Sequence, residues 1–418
     1  MAQLSDDCFA FGGKLLTVAE GVALIAERVF PVAEAIEAPL AEADGAVLAA
    51  DISAPIDLPA FDNSAVDGFA VRHADLSAGG ETRLPVRGRI AAGDTSAHTL
   101  PQGAATRIFT GARMPEGADT VFMQEDVREQ PDGSVLLPAG LKAGANRRLA
   151  GEDVAAGAAA LKAGTRLRPA DVALAAALGI PRLPVRRPLR VGVLSTGDEL
   201  AEPGSPLRPG QVYDSNRPLL LAMLRRLGVS ATDLGIVRDE PERLAAALRQ
   251  AAATHDLVLG SGGVSTGEED HTRRAIEAAG RLVLWRMAIK PGRPVAMGVL
   301  GGTPVIGLPG NPVAVFVTFV HIVRPLLARL RGETYSPPRP IPLPLGFSYR
   351  KREGRREYVR VRLVEGPDAS LLLEKHGQDG AGVITSLTET DGLAELVELL
   401  TDLRPGDRVG FLPYGAFV

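Results

Sequence analysis

The stretch LRVGVLSTGDEL, residues 189–200, sets an apolar run of strand length against a loop of serine, threonine, glycine and acid. A short apolar run bounded by turn chemistry reads as a buried strand. Working outward, the same alternation repeats. NRPLLLAMLRRLG (216–228) keeps helical spacing and ends on glycine, and VSATDLGIV follows as a second strand. PERLAAALRQAAA reads as a helix, DLVLGSGG (256–263) as a third strand and HTRRAIEAAG as a short helix. TPVIGLPG (303–310) then leads into an apolar helix beginning near Pro312. Strand alternating with helix predicts a doubly wound, mostly parallel sheet over residues 189–332, covered on both faces. In such sheets ligands bind outside the carboxyl ends of the strands.

The flanks read differently. In TVAEGVALIAERVF (17–30), Thr17 with Glu20 fits a capping box, and Val18, Val22, Ile25 and Val29 keep helical spacing. From 54 to 155, short apolar runs such as TRIFTG and TVFMQEDV alternate with Gly and Pro turns, which predicts a small β-rich domain. GTRLRPADVALAAALGI (164–180) returns to helix and is expected to pack with the N-terminal helical stretch. Residues 1–53 and 156–188 would then form an elongated linking region, with 54–155 inserted in it. After the proline-rich linker SPPRPIPLPLG, runs such as REYVRVRLV predict a β domain over 333–418. The expected fold class is multidomain α/β plus β.

Composition narrows the function. The 418 residues carry 46 basic against 50 acidic side chains, a formal net charge of -4, so no general attraction to nucleic acid follows. The single cysteine, Cys8, excludes an internal disulfide framework and a cysteine-built zinc site. The opening MAQLSDDCFA lacks the features of a signal peptide. VAVFVTFVHIV (313–323) is shorter than the roughly 20 residues needed to cross a bilayer and reads as a buried helix. No membrane association is expected, and a reducing cytoplasm fits best.

Chemistry collects after three of the strands, in STGDEL (195–200), GSGGVSTGEED (260–270) and GLPGNP (307–312). The sheet rule places all three on one edge. Gly262 and Gly263 let backbone N–H groups approach phosphate oxygens, and Ser261, Ser265 and Thr266 add hydroxyl donors. Pro309 and Pro312 stiffen the third loop, and Pro312 suits the first turn of a helix. Acids beside such loops would repel phosphate unless a divalent cation lies between. Mg2+ is the natural choice, with Glu199 and Asp270 as its ligands, while Glu268 and Glu269 read as solvated helix-start residues. Lys290 and Arg293, in AIKPGRP, add positive charge near another strand end, and Arg286 is ambiguous between charge and packing. There is no nucleophile–histidine signature, which disfavours a covalent hydrolase. In FDNSAVDGFAV (61–71), Asp62, Asn63 and Ser64 read as turn formers.

Together, FDNSAVDGFAV, RIFTGARMPEGADTVFMQE (107–125), RRLAGED (147–153), STGDEL, YDSNR (213–217), SGGVSTGEED and AIKPGRP…GLPGNP resemble the MoeA family, the molybdopterin molybdenumtransferases, and the related E domain of gephyrin. The resemblance runs from about residue 15 to about 330 and continues more weakly through GRREYVRV (354–361). It implies an elongated homodimer of four-part subunits, with one part similar to the adenylyltransferase MogA. It also implies insertion of molybdate into adenylyl-molybdopterin with release of AMP, assisted by Mg2+ or another divalent cation. Other proteins of cofactor biosynthesis are implied as further partners. The family's functional positions fall on Asp67, Thr110 and Asp153 in the inserted domain, expected to approach from the partner subunit. They also fall on Glu199, Asp239, Asp270, Lys290, Pro309 and Pro312. Two rival readings stay open at this point: a MogA-like molybdopterin adenylyltransferase, and a scaffold protein with a vestigial pocket.

Overall fold

The computed structural model describes residues 15–262, 281–366 and 369–417. The expected helix over 271–280, and the site candidates Gly263, Ser265 and Asp270, lie outside the described residues. Contacts divide the chain into two compact units. One comprises Met1–Ala49, Ala163–Arg168 and Pro184–Val418; the other comprises Ala50–Lys162 and Pro169–Leu183.

The first helix, α1 (Val18–Arg28), starts as its sequence dictates. The Thr17 hydroxyl accepts from the Glu20 N–H at 3.2 Å, and the Thr17 N–H donates to the Glu20 carboxylate at 2.8 Å. Ala35–Pro39, Arg182–Arg186 and Val47–Leu48 then form a three-stranded sheet. The helix Pro169–Ala177 groups with the β-rich unit, whereas the sequence reading joined it to the N-terminal helical stretch. An alanine-rich helix offers a similar small-residue surface on either side, so its spacing alone does not choose a partner.

In the β-rich unit, β1 (Gly68–Val71) lies antiparallel between β2 (Ala105–Ile108) and Thr120–Met123. Phe69, Val71, Leu84, Phe122 and Val135 fill one face of this sheet, and Ala70, Ile90, Ile108 and Val121 the other. Consecutive residues of β1 thus point to opposite cores, as the pleat requires.

The larger unit is built on the expected sheet, β3 (Arg190–Thr196), α2 (Asn216–Arg226), β4 (Ser230–Val237), α3 (Pro241–Thr254), β5 (Leu257–Ser261) and β8 (Thr303–Leu308), widened by two strands not assigned from sequence, β6 (Arg281–Met287) and β7 (Pro294–Leu300). The strand order is β6-β7-β8-β5-β3-β4, with Leu15–Leu16 outside β6. β8, β5, β3 and β4 run parallel, and β7 alone is antiparallel to its neighbours. Both faces are covered. Val191, Val193, Leu257, Leu259 and Ile306 pack with Leu220 and Leu224 of α2, while Leu194, Val258 and Val305 pack with Leu244 and Leu248 of α3. That alternation is the signature of a doubly wound sheet.

The apolar helix begins at α4 (Pro312–Thr318), widens to a π turn over Phe319–Val323 and continues as Arg324–Arg331. Pro325 has no N–H to donate to the carbonyl one turn back, which accounts for the loosened ladder. By length and composition this helix could cross a membrane, but 83% of its most apolar window is buried inside the protein, as the sequence reading expected. A second β sheet, centred on β9 (Arg356–Glu365), follows.

His321, in the π turn, stacks on Tyr358 with ring centroids 4.1 Å apart. Its Nε2 is sealed from solvent without a hydrogen-bond partner among the described residues. Burial, aided by repulsion from Arg356 and Arg324, pushes its pKa down to about 3. An unfolded histidine takes up a proton near pH 6.5, whereas the folded one stays neutral. The stability is therefore complete above pH 6.5 and falls as the pH drops toward 3, by at most about 1.4 kcal/mol per pH unit. Urea unfolding between pH 6.5 and 5, above most carboxylate titrations, should show this slope, and His321→Phe should remove it.

Candidate functional site

The parallel register fixes where the site loops emerge. Ser195 of β3 pairs with Ser261 of β5, Ser261 pairs with Leu308 of β8, and Thr196 pairs with Val237 of β4. The loops carrying Glu199, Asp239, Gly262 and Pro309 therefore leave one edge side by side, as the sequence reading expected for three of them. The fourth loop, 238–240, is tied in by Arg238, whose guanidinium lies 3.6 Å from Asp198.

Close backbone approach explains the glycines. Gly262 has φ +98°, and a Cβ there would overlap the Thr196 carbonyl oxygen. Its N–H donates to the Leu308 carbonyl at 3.3 Å, and the Ser261 hydroxyl donates to the Pro309 carbonyl at 3.4 Å. At Gly197, φ +151°, a Cβ would lie 2.5 Å from the Glu199 carboxylate, which folds back over this residue. Asp214 and Asn216, in YDSNR, were not singled out from sequence. The Asp214 carboxylate accepts from the N–H groups of Asn216 and Arg217 and starts α2, while the Asn216 amide donates to the Gly310 carbonyl at 2.6 Å. Ser195 Oγ and Asn216 Oδ1 are buried at this edge without a hydrogen-bond partner among the described residues. Buried oxygens of this kind call for a partner that a ligand can supply.

Lys290 and Arg293 reach the same edge by a different route. β6 ends at Met287 and β7 begins at Pro294, with Arg286 opposite Pro294, so the 288–293 connection lies beyond the carboxyl end of β6. It borders a cleft of about 280 Å3 that also takes in Arg352, Glu353 and Arg355 from the C-terminal domain. Ile289–Lys290 pairs in parallel with Arg356 and Glu357 of β9. Glu357, 1% exposed, accepts from Lys290 Nζ at 3.1 Å, Tyr349 Oη at 2.9 Å and Arg355 Nε at 2.9 Å. Burial raises the Glu357 carboxyl pKa, but the Lys290 and Tyr349 bonds and the charges of Lys290 and Arg355 outweigh it and leave it below the usual value. Glu357 is thus an ionised anchor that aligns two cations at the cleft. A weakly similar C-terminal segment carried no local signal for this role.

The β-rich unit holds a second cluster. Asp67 Oδ1 accepts from the Thr110 N–H at 2.8 Å and its hydroxyl at 2.7 Å. These bonds, the backbone one foremost, hold the Asp67 carboxyl below its usual range. Gly68, next to Asp67 and first in β1, must be glycine, since a Cβ there would overlap the Phe122 carbonyl. Asp62, read from sequence as a turn residue, is tied across 85 positions to Arg147, whose Nε donates at 3.0 Å, and accepts from the Ala150 N–H at 2.8 Å. Asn63 and Ser64 bond to nearby backbone, as turn chemistry predicts. The pairing of Asn63–Ser64 with Arg147–Arg148, and of Leu58 with Val154, runs exposed Asp153 alongside the segment that leads to Asp67.

For the divalent cation that the resemblance implies, Glu199 offers an exposed carboxylate at the strand end, and Asp239 places a partly buried one on the adjoining loop. Hard oxygen donors of this kind suit Mg2+. Asp270, the other expected ligand, lies outside the described residues, and among those described no group of three or more His, Cys, Asp or Glu is placed to hold a metal ion.

Fold and site define a multidomain α/β enzyme that has two β domains besides a parallel-sheet domain with phosphate-compatible loops. Residues 16–179 match the model of the MoeA N-terminal region (domain I and II), residues 192–329 a probable molybdopterin binding domain, and residues 342–414 the MoeA C-terminal region (domain IV). The chain belongs to the MoeA family of molybdopterin molybdenumtransferases. It is 38% identical to the molybdopterin molybdenumtransferase of Haemophilus influenzae over 90% of this chain and 93% of that protein. It is 36% identical to molybdopterin molybdenumtransferase 2 of Mycobacterium tuberculosis, over 90% and 94%. The crystal structure of the molybdopterin biosynthesis MoeA protein from Pyrococcus horikoshii matches with a TM-score of 0.80 at 29% identity, covering 96% of this chain and 100% of that one. The protein is accordingly a transferase of molybdenum cofactor biosynthesis, with molybdopterin and molybdate as its fitting substrates.

Proposed function

We propose that the enzyme inserts molybdate into adenylyl-molybdopterin and releases AMP. The observation that carries this reading is the convergence of the Glu199, Asp239, Gly262 and Pro309 loops with Lys290 and Arg293 on one sheet edge. Ser261, Gly262, Gly263 and Ser265 receive the phosphate end of the substrate, and Lys290 and Arg293 balance its charge. Pro309 and Pro312 keep the third loop rigid. Glu199 and Asp270 are the ligands for Mg2+, which when bound supplies positive charge at the adenylyl phosphate. Asp67, Thr110 and Asp153 serve the same reaction from the β-rich unit of a partner subunit in a homodimer, in the cytoplasm.

A shared site makes a distinctive prediction. Mixing inactive Asp67→Asn and Glu199→Gln chains should restore about a quarter of the native activity, because a mixed dimer keeps one intact site. No recovery after verified exchange of subunits would remove the cross-subunit assignment. Formation of adenylyl-molybdopterin from ATP by the pure protein would instead favour the adenylyltransferase reading.

The Glu357 anchor yields a separate expectation. Glu357→Gln removes the charge that aligns Lys290 and Arg355. It should raise KM for the adenylylated substrate about tenfold, the equivalent of one lost charge-assisted contact, and change kcat little. Steady-state AMP release separates the two constants.

A further inference from the structure

A cavity in the first unit lies on the other side of the same sheet. It measures about 410 Å3 and is bordered by the turn carrying Glu42 and Asp44, by Arg166 and Arg186, and by Pro188, which precedes β3. Arg225 and Arg226 at the end of α2, Gly228 ahead of β4, and Arg331 at the end of the apolar helix complete it. β3 and β4 both start here, so this is the amino edge of the sheet. A seven-residue strand separates it from the Glu199 edge by about 20 Å.

The charge here is unbalanced. Five arginines face two acids around the cavity. Arg331 is 6% exposed, donates to the Leu227 carbonyl at 2.8 Å and pairs with Glu333, yet its Nε is buried without a hydrogen-bond partner among the described residues. Arg225 and Arg226 are exposed at the rim. Burial first, and then the charge of Arg331, lower the pKa of Arg166. Like charges gathered around a hollow are unfavourable unless an anion joins them, and guanidinium forks suit the paired oxygens of tetrahedral oxyanions.

We propose that this cavity is a second anion site, separate from the reaction edge, which takes a tetrahedral dianion: either the phosphate of a small phosphate ester or a free oxyanion. Its volume falls within the range of small-molecule pockets, so an ester with an attached group fits as well as a bare ion. Neither the adenylyl chemistry nor the metal step uses any of these arginines.

Isothermal titration with inorganic phosphate, at constant ionic strength, tests the site. A Lys290→Ala, Arg293→Ala protein, weakened at the reaction edge, should still bind one phosphate per chain through the amino-edge site. In that background Arg226→Ala, at an exposed helix end, should raise Kd at least tenfold, as should Arg166→Ala, while Arg226→Lys recovers part of the loss. Parallel titrations with AMP and molybdate identify the source: tighter AMP binding indicates an ester, tighter molybdate binding a free oxyanion. The proposal is overturned if phosphate binding disappears in the Lys290→Ala, Arg293→Ala protein, or is indifferent to Arg226→Ala and Arg166→Ala.

Discussion

Asp67→Asn should lower molybdate-dependent AMP release at least a hundredfold without moving the unfolding midpoint. The expectation rests on which oxygen does what. Oδ1 takes both bonds from Thr110, at 2.8 and 2.7 Å, and an asparagine carbonyl can accept the same pair. The substitution therefore keeps the local geometry and removes only the negative charge. Those bonds keep the native carboxyl ionised well below neutral pH, so the charge is present whenever the enzyme works. Losing one catalytic charge of this kind commonly costs about two or more powers of ten in rate. Circular dichroism and urea unfolding provide the control, and activity within fivefold of native would exclude a direct role for Asp67.

Gly262→Ala should be as damaging for a different reason. At φ +98° a β-carbon is strained, at a cost of about 1–3 kcal/mol. It would also be driven into the Thr196 carbonyl, with Thr196 Oγ1 3.2 Å away. Relief requires the loops after β3 and β5 to separate, which spreads Ser261 from the Glu199 loop. A hundredfold loss in kcat/KM is expected, together with a lower melting temperature. Ser261→Ala is the companion variant: it removes one weak 3.4 Å bond and leaves the backbone alone, so it should cost far less in stability.

The parallel core of the sheet and the common edge of the loops were legible because they follow from local pattern plus one topological rule. The runs at 189–195, 256–260 and 303–308 are strand-length and apolar, and the intervening helices have helical spacing and stop signals. The features that escaped depend on partners distant in sequence. Asp62 has a turn residue's local context, and only the fold brings Arg147 to it from 85 positions away. Glu357 sits in a strand-like run, REYVRVRLV, where nothing local marks it as the anchor of Lys290. Arg352 and Arg355 join the cleft only because Ile289–Lys290 adds to the edge of the C-terminal sheet. The helix Pro169–Ala177 was placed correctly as a helix but assigned a different companion, since its small side chains do not encode one. Asp214 and Asn216 carried a faint signal, because Asp-Ser-Asn before an apolar helix is a start motif. What was not legible was that the Asn216 side chain also holds the Gly310 loop.

The central claim is that this sheet edge couples cleavage of the adenylyl bond to uptake of molybdate. Its most direct test is AMP release from adenylyl-molybdopterin and Mg2+ by the purified protein, measured with and without molybdate and beside a tungstate control. The account predicts AMP in amounts stoichiometric with molybdenum-loaded pterin, and only background release when the oxyanion is omitted. Equal AMP release with and without molybdate, or none with active substrate, would contradict it.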